Sequence, residues 1–220
     1  MKLPDKGSIA SFDVDAQCTF TPNCPDELPV EGGDEIVEEL NAQARPAGWR
    51  VGSKDAHSPQ AVWVTEDPDK FGQPGVEGPN VEEHWPVHAV PGTRGFELLP
   101  GLPAPIDYDF FVWKGVELDL HPNGACFHDL AETRSTGIIE WLRARGVSHV
   151  IVGGLATDVC VRATALQLND NGFKVILNQA ACRGITPAST RQALAEMQDK
   201  GVRLVANAAE IENASGPVTG

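Results

Sequence analysis

The chain has 220 residues, 31 acidic against 17 basic side chains, and a formal net charge of −14. Such a balance repels nucleic acid and anionic membrane surfaces. No apolar run is long enough to span a bilayer, and MKLPDKGSIA lacks the apolar segment of a signal peptide, so a cytoplasmic protein is expected.

Taken in chain order, apolar runs and helical patterns alternate. IASFDVD (9–15) reads as a buried strand. GDEIVEELNAQA (33–44) reads as a helix with Ile36, Val37 and Leu40 on one face and Asp34 placed to cap it. WRVGSKD (49–55) is a second strand. The stretch from Ala56 to Tyr108 is rich in Pro and Gly with little periodicity. Loops of that length usually carry function or are disordered, and Trp63, Phe71, Trp85 and Phe96 argue against disorder. DFFVWKG (109–115) is a third strand, and STGIIEWLRARG (135–146) a helix that starts on Ser-Thr and stops at Gly146. HVIVGG (149–154), a helix over 159–172, FKVILN (173–178), a helix over 186–201 with Pro in its first turn, and VRLVAN (202–207) complete the series. ENASGPVTG (212–220) reads as a frayed tail. The alternation predicts one α/β domain over residues 1–220: a doubly wound, mostly parallel six-stranded sheet with helices on both faces.

In such sheets ligands bind beyond the carboxyl ends of the strands. Asp15, Asp55 with His57, Lys114, and Cys160 all fall at those ends. The five cysteines (Cys18, Cys24, Cys126, Cys160, Cys182) are widely spaced with no CxxC pair, which argues against a disulfide framework or structural zinc. Cys160 differs from the others by its place in GGLATDVC, a strand end leading into a helix start. A helix N-terminus favours thiolate and offers N–H groups to an oxyanion. The two glycines allow a tight turn with close substrate approach, and Thr157 and Asp158 are placed to cap the helix. A thiol also needs a base, for which Asp13 and Asp15 compete. Burial would raise that carboxyl's pKa and suit it to proton transfer. Lys114 could steady the base and the developing negative charge.

Asp55 and His57, two apart in an extended segment, point the same way. With His84 or His88 they could hold one metal ion with open positions. Glu66 is a further candidate ligand, whereas His121, His128 and His149 read as structural or surface groups.

These pieces together resemble the isochorismatase-like hydrolases, and within them the nicotinamidases. The resemblance spans Ser8 to Ile211 and rests on DAQCTF (15–20), KDAH (54–57) with WPVHAVPGTRG (85–95), WKG (113–115) and GGLATDVCVRATA (153–165). It implies a catalytic triad of Asp15, Lys114 and Cys160, and so favours Asp15 over Asp13. It implies a metal held by Asp55, His57 and His88, with Glu66 and His84 as additional candidates; Zn²⁺ comes first, with Fe²⁺ or Mn²⁺ also acceptable to such ligands. Phe20 and Trp85 would flank the substrate ring, with Leu155 also against the substrate. The Ala156 and Cys160 N–H groups would form the oxyanion hole, after a cis Leu155–Ala156 bond. The implied reaction is hydrolysis of nicotinamide to nicotinate and ammonia through a cysteine thioester, by a homo-oligomer. Cys18, Ala89, and the pair Asn123 and Gly124 depart from the family pattern and leave the pocket wall open. Another cysteine amidohydrolase of the family, acting on N-carbamoyl compounds, is the alternative. A non-catalytic nucleotide-binding module is disfavoured, because no GxGxxG or GxxxxGK[ST] is present.

Overall fold

The computed structural model describes residues 3–76, 78 and 80–214. Six strands form one sheet: β1 Ile9–Val14, β2 Trp49–Asp55, β3 Phe110–Lys114, β4 His149–Leu155, β5 Lys174–Arg183 and β6 Arg203–Val205. Their order is β3-β2-β1-β4-β5-β6, and every pairing is parallel. The central strand β1 is buried along its whole length, which is why its sequence up to Asp13 is apolar but for Ser11, whose hydroxyl accepts a hydrogen bond from Gln43.

Side chains alternate between the two faces of each strand. Ala10, Phe12, Val150, Val152, Val175 and Leu177 join one large core cluster. It is closed by α2 (Ile138–Ala144), α3 (Arg162–Asp170) and α4 (Pro187–Asp199), through residues such as Leu142, Leu168 and Met197. The intervening Ile9, Ile151 and Ile176 face the other way, toward Ile211 of α5 (Ala208–Ala214). On that side α1 (Val37–Gln43) adds Leu40 to a neighbouring cluster. Helices therefore cover both faces, and the expected doubly wound architecture is present.

Several boundaries differ from the sequence reading. Asp34 sits inside a separate 3-10 turn, Gly33–Glu35, and α1 starts at Val37 without a side-chain cap. The helix expected from Ser135 begins at Ile138; the Ser135 Oγ accepts the Gly137 N–H (3.0 Å) and donates to Glu140 (2.7 Å). β5 runs on to Arg183, because it pairs with β4 on both sides of an irregularity between Val152 and Gly154. The segment read as a tail from residue 212 instead contributes the end of α5, anchored by the single fully buried Ile211; its remainder, 215–220, lies outside the described residues. α4 follows expectation: Pro187 opens it, and the Thr186 side chain accepts the Ser189 N–H at 3.1 Å.

The strand order reverses between β1 and β4, so a crevice opens above their carboxyl ends. The glycines of β4 serve close packing: Gly154 against β1, and Gly153 against β5 and α1. A Cβ on Gly153 would lie 2.7 Å from the Ala181 Cβ, and one on Gly154 (φ +142) 1.9 Å from the Val14 carbonyl oxygen. Substituting Gly154→Ala should therefore destabilise the fold by at least about 3 kcal/mol, through overpacking and backbone strain together. Gly7→Ala, with nothing within 4 Å of the added carbon, should leave stability within about 0.5 kcal/mol. Urea denaturation of both variants checks the contrast.

Candidate active site

The crevice gathers side chains from four strand ends. Asp15 follows β1 and adopts a left-handed backbone conformation (φ 44), uncommon for a residue with a side chain. Its Oδ1 accepts a hydrogen bond from Ser53 Oγ on β2 (2.7 Å), and its Oδ2 lies 3.1 Å from Lys114 Nζ at the end of β3. Lys114 is fully buried. Its ammonium also contacts the Asp55 carboxylate, the Pro122 carbonyl oxygen at 3.1 Å and Cys160 Sγ at 3.6 Å. The carboxylate oxygens of Asp15 and Asp55 and the Cys160 sulfur all lie within 4.8 Å of one another. Asp13, the competing carboxylate, is engaged elsewhere, by Arg50 (2.7 Å) and the Tyr108 hydroxyl (2.9 Å).

Burial governs the electrostatics here. It raises the Asp15 carboxyl above the ordinary range, against the opposing pull of Lys114. It also pushes the Cys160 thiol well up; Lys114 opposes this, and Asp15 and Asp55 add to it. The resting sulfur is therefore a thiol, which corrects the expectation that the helix start would favour thiolate. Cys160 lies in a π-helical turn, Thr157–Val161, ahead of α3, and burial is the largest influence on its thiol. Burial would also raise Asp55 and lower Lys114. Opposite charge wins in both cases: Lys114, then His57, hold Asp55 well below its usual value, and Asp15, then Asp55, hold Lys114 well above.

A second group of buried side chains adjoins the first. His57 Nδ1 lies 3.0 Å from the Gly115 carbonyl oxygen, and His88 Nδ1 2.8 Å from that of Pro86. A carbonyl oxygen can only accept, so both Nδ1 atoms carry a proton, and in a neutral ring the Nε2 is left with a lone pair. His57 Nε2 then faces Asp55 Oδ1 at 3.2 Å with no hydrogen bond between them. With the ring neutral, two acceptors meet here, an arrangement that fits a cation, and an Asp-His-His set suits a borderline divalent ion. Gly115 (φ +68) makes room for the ring, since a Cβ there would lie 2.2 Å from His57 Cε1. Burial, with His57 beside it, lowers His88 to about 3, so it is neutral and free to ligate.

The structure adds a residue to this group that the sequence reading had set aside as structural or surface. His121 brings a ring nitrogen within 4.8 Å of one on His57 and one on His88. Glu66 is exposed, and neither it nor His84 joins a metal-ligating group among the described residues. His84 instead pairs its backbone with that of Phe71. The stretch from Ala56 to Tyr108 has its own small core of Ala61, Trp63 and Val81. The fully buried Trp63 packs its ring against His57, His88 and His121, with centroids 4.8, 5.4 and 4.5 Å away. That positioning role had no periodic signal to reveal it.

A cavity of about 500 Å³ opens onto both groups, lined by Phe20, Asp55, Trp85, His88, Ala156 and Cys160 among others. The Leu155–Ala156 peptide is cis. Leu155, expected against the substrate, is instead fully buried beside Phe20, Leu40 and Ala156 and does not line the cavity. Nor does Asp158 cap the helix; its carboxylate accepts the Ile185 N–H (3.0 Å) and a hydrogen bond from Ser189, tying the cysteine turn to the start of α4. Gln17 is a positioning residue that sequence reasoning quoted without assigning. Its amide oxygen accepts the Asp55 N–H (2.7 Å) and its amide nitrogen donates to the Asp55 carbonyl oxygen (3.0 Å).

Comparison with known proteins places this geometry in a family. The nicotinamidase/pyrazinamidase of Mycobacterium tuberculosis is 34% identical over 181 residues, covering 81% of this chain and 89% of its own. The solved nicotinamidase of Acinetobacter baumanii superposes with a TM-score of 0.83 at 30% identity, covering 96% of this chain and all of its own. The pyrazinamidase of Pyrococcus horikoshii, solved in complex with zinc, gives 0.72 at 30% identity, covering 90% of this chain and 98% of its own. Residues 14–209 match the model of the isochorismatase domain, and with these relatives alongside, the chain belongs to the isochorismatase family.

Proposed function

We propose that this chain is an amidohydrolase that converts nicotinamide to nicotinate and ammonia through a thioester on Cys160. The observation that carries this reading is the buried set of Asp15, Lys114 and Cys160, whose cysteine lines an apolar cavity. Relatives of similar length bear the name nicotinamidase.

Asp15 takes the thiol proton as the sulfur attacks the carboxamide carbon. The carbonyl oxygen becomes an oxyanion, for which the backbone N–H groups of Ala156 and Cys160 are the assigned donors. The C–N bond then breaks, and Asp15 returns the proton to the departing nitrogen as ammonia forms. In the second half Asp15 removes a proton from water, the oxygen attacks the thioester, and the C–S bond breaks. The sulfur recovers its proton from Asp15 and nicotinate leaves. Lys114, touching both carboxylates and the sulfur, steadies the ionised base and the thiolate as it develops.

Phe20 and Trp85 line the cavity and are assigned to the faces of the ring. Asp55, His57 and His88 would hold a divalent ion, Zn²⁺ first. When bound, that ion would engage the pyridine nitrogen or its water and so orient the ring.

Ammonia release from nicotinamide tests the proposal. Wild type should be active, Cys160→Ala should fall to background, and Asp15→Asn should lose about 10²–10⁴-fold. Activity retained in Cys160→Ala would sink the nucleophile assignment; a reactive Cys160 without nicotinamide turnover would point to another amide. Stripping the metal with a chelator should lower activity, and zinc should restore it. The pH profile is a further check. The base must be ionised, and burial raises Asp15. The rate should therefore fall, as pH drops, at a point above the ordinary aspartate value of about 4. An acid limb at or below that value would remove Asp15 as the base.

A further inference from the structure

His121 stands out because its half-buried ring packs among groups that do not satisfy it. Its Nε2 is shielded from solvent and has no hydrogen-bond partner. An unpaired buried polar atom is destabilising, so a position that retains one calls for a ligand. The ring stacks on His57 with centroids 4.9 Å apart and planes 22° from parallel, and it meets His88 at 5.8 Å. One ring nitrogen from each of the three histidines converges within 4.8 Å of the other two.

The ring is also held from outside. Trp63 packs edge-on at 4.5 Å and Trp85 lies nearly parallel at 6.2 Å. The His121 backbone N–H donates to the Asn80 carbonyl oxygen (3.0 Å), and Trp63 Nε1 donates to the carbonyl oxygen of the preceding Leu120 (3.1 Å). The carbonyl oxygen of the following Pro122 accepts from Lys114. Fixed surroundings of this kind are what a metal ligand needs. Lone pairs converging in a buried space repel one another unless a cation lies between them.

We propose that His121 is a ligand of the same metal ion as His57 and His88, so that this chain holds its ion with three imidazoles beside Asp55. The inference rests on the metal reading above and adds a ligand from the segment after β3. Imidazole suits zinc and its neighbours, whereas carboxylate and water suit manganese, so the third ring biases the site toward zinc.

The test uses His121→Phe, which keeps an aromatic ring for packing and removes both nitrogens, with His121→Gln as a second variant. Melting of the metal-free proteins establishes that each is folded. Zinc affinity is measured by chelator competition, and the visible spectrum of the cobalt-substituted proteins reports on ligands directly. Zinc affinity should fall at least about tenfold in both variants, and the cobalt bands should shift. Equal affinity with superimposable cobalt spectra would make His121 a packing residue and overturn the inference while leaving the metal reading intact. Weaker affinity with an unchanged cobalt spectrum would make it a positioning residue and overturn ligation as well. A wild type that binds neither zinc nor cobalt would overturn the metal reading and this inference together.

Discussion

One buried ammonium organises the whole site. Lys114 ends β3, an edge strand, yet its Nζ reaches Asp15 beyond β1, Asp55 at the end of β2 and Cys160 beyond β4. A charge removed from water is costly unless paired and hydrogen-bonded. The carboxylates are buried for the sake of the crevice, and Lys114 is what keeps them there. Lysine provides one positive charge against two carboxylates, so the site carries a negative excess when both are ionised. That excess lies on the side of Asp55 that faces His57.

The two halves of the site divide the electrostatic work. Near Cys160 burial raises both the thiol and the Asp15 carboxyl above their ordinary values. Near the histidines, burial holds His88 and His121 neutral, which is the state in which imidazole ligates. Asp55 connects the halves: it touches Lys114 on one side and His57 on the other, and Gln17 grips its backbone from both ends.

The fold and much of the site were legible because they depend on local pattern. Continuous apolar runs marked the buried strands, and a parallel sheet places functional groups where those runs end. That logic located Asp15, Asp55, Lys114 and Cys160. The resemblance to known hydrolases then separated Asp15 from Asp13, and the structure gives the physical distinction: Arg50 and Tyr108 occupy Asp13. Helix starts were less legible. Asp34 and Asp158 have the residue type of a cap, but tertiary contacts and a preceding turn claimed those positions.

The sequence by itself determined the strand ends, the order of the four polar segments and the chemical types available to them, because each is written within a few consecutive residues. Only the tertiary structure decided which groups meet. His121 has no partner within its own segment, and Trp63 shows no periodicity. Both acquire their roles from the irregular stretch after β2, whose small core packs them against His57 and His88. Leu155 stands next to the cavity-lining Ala156 in sequence yet faces the core. The protonation state of Cys160 was likewise beyond local reading, because burial and the charges of three other segments set it.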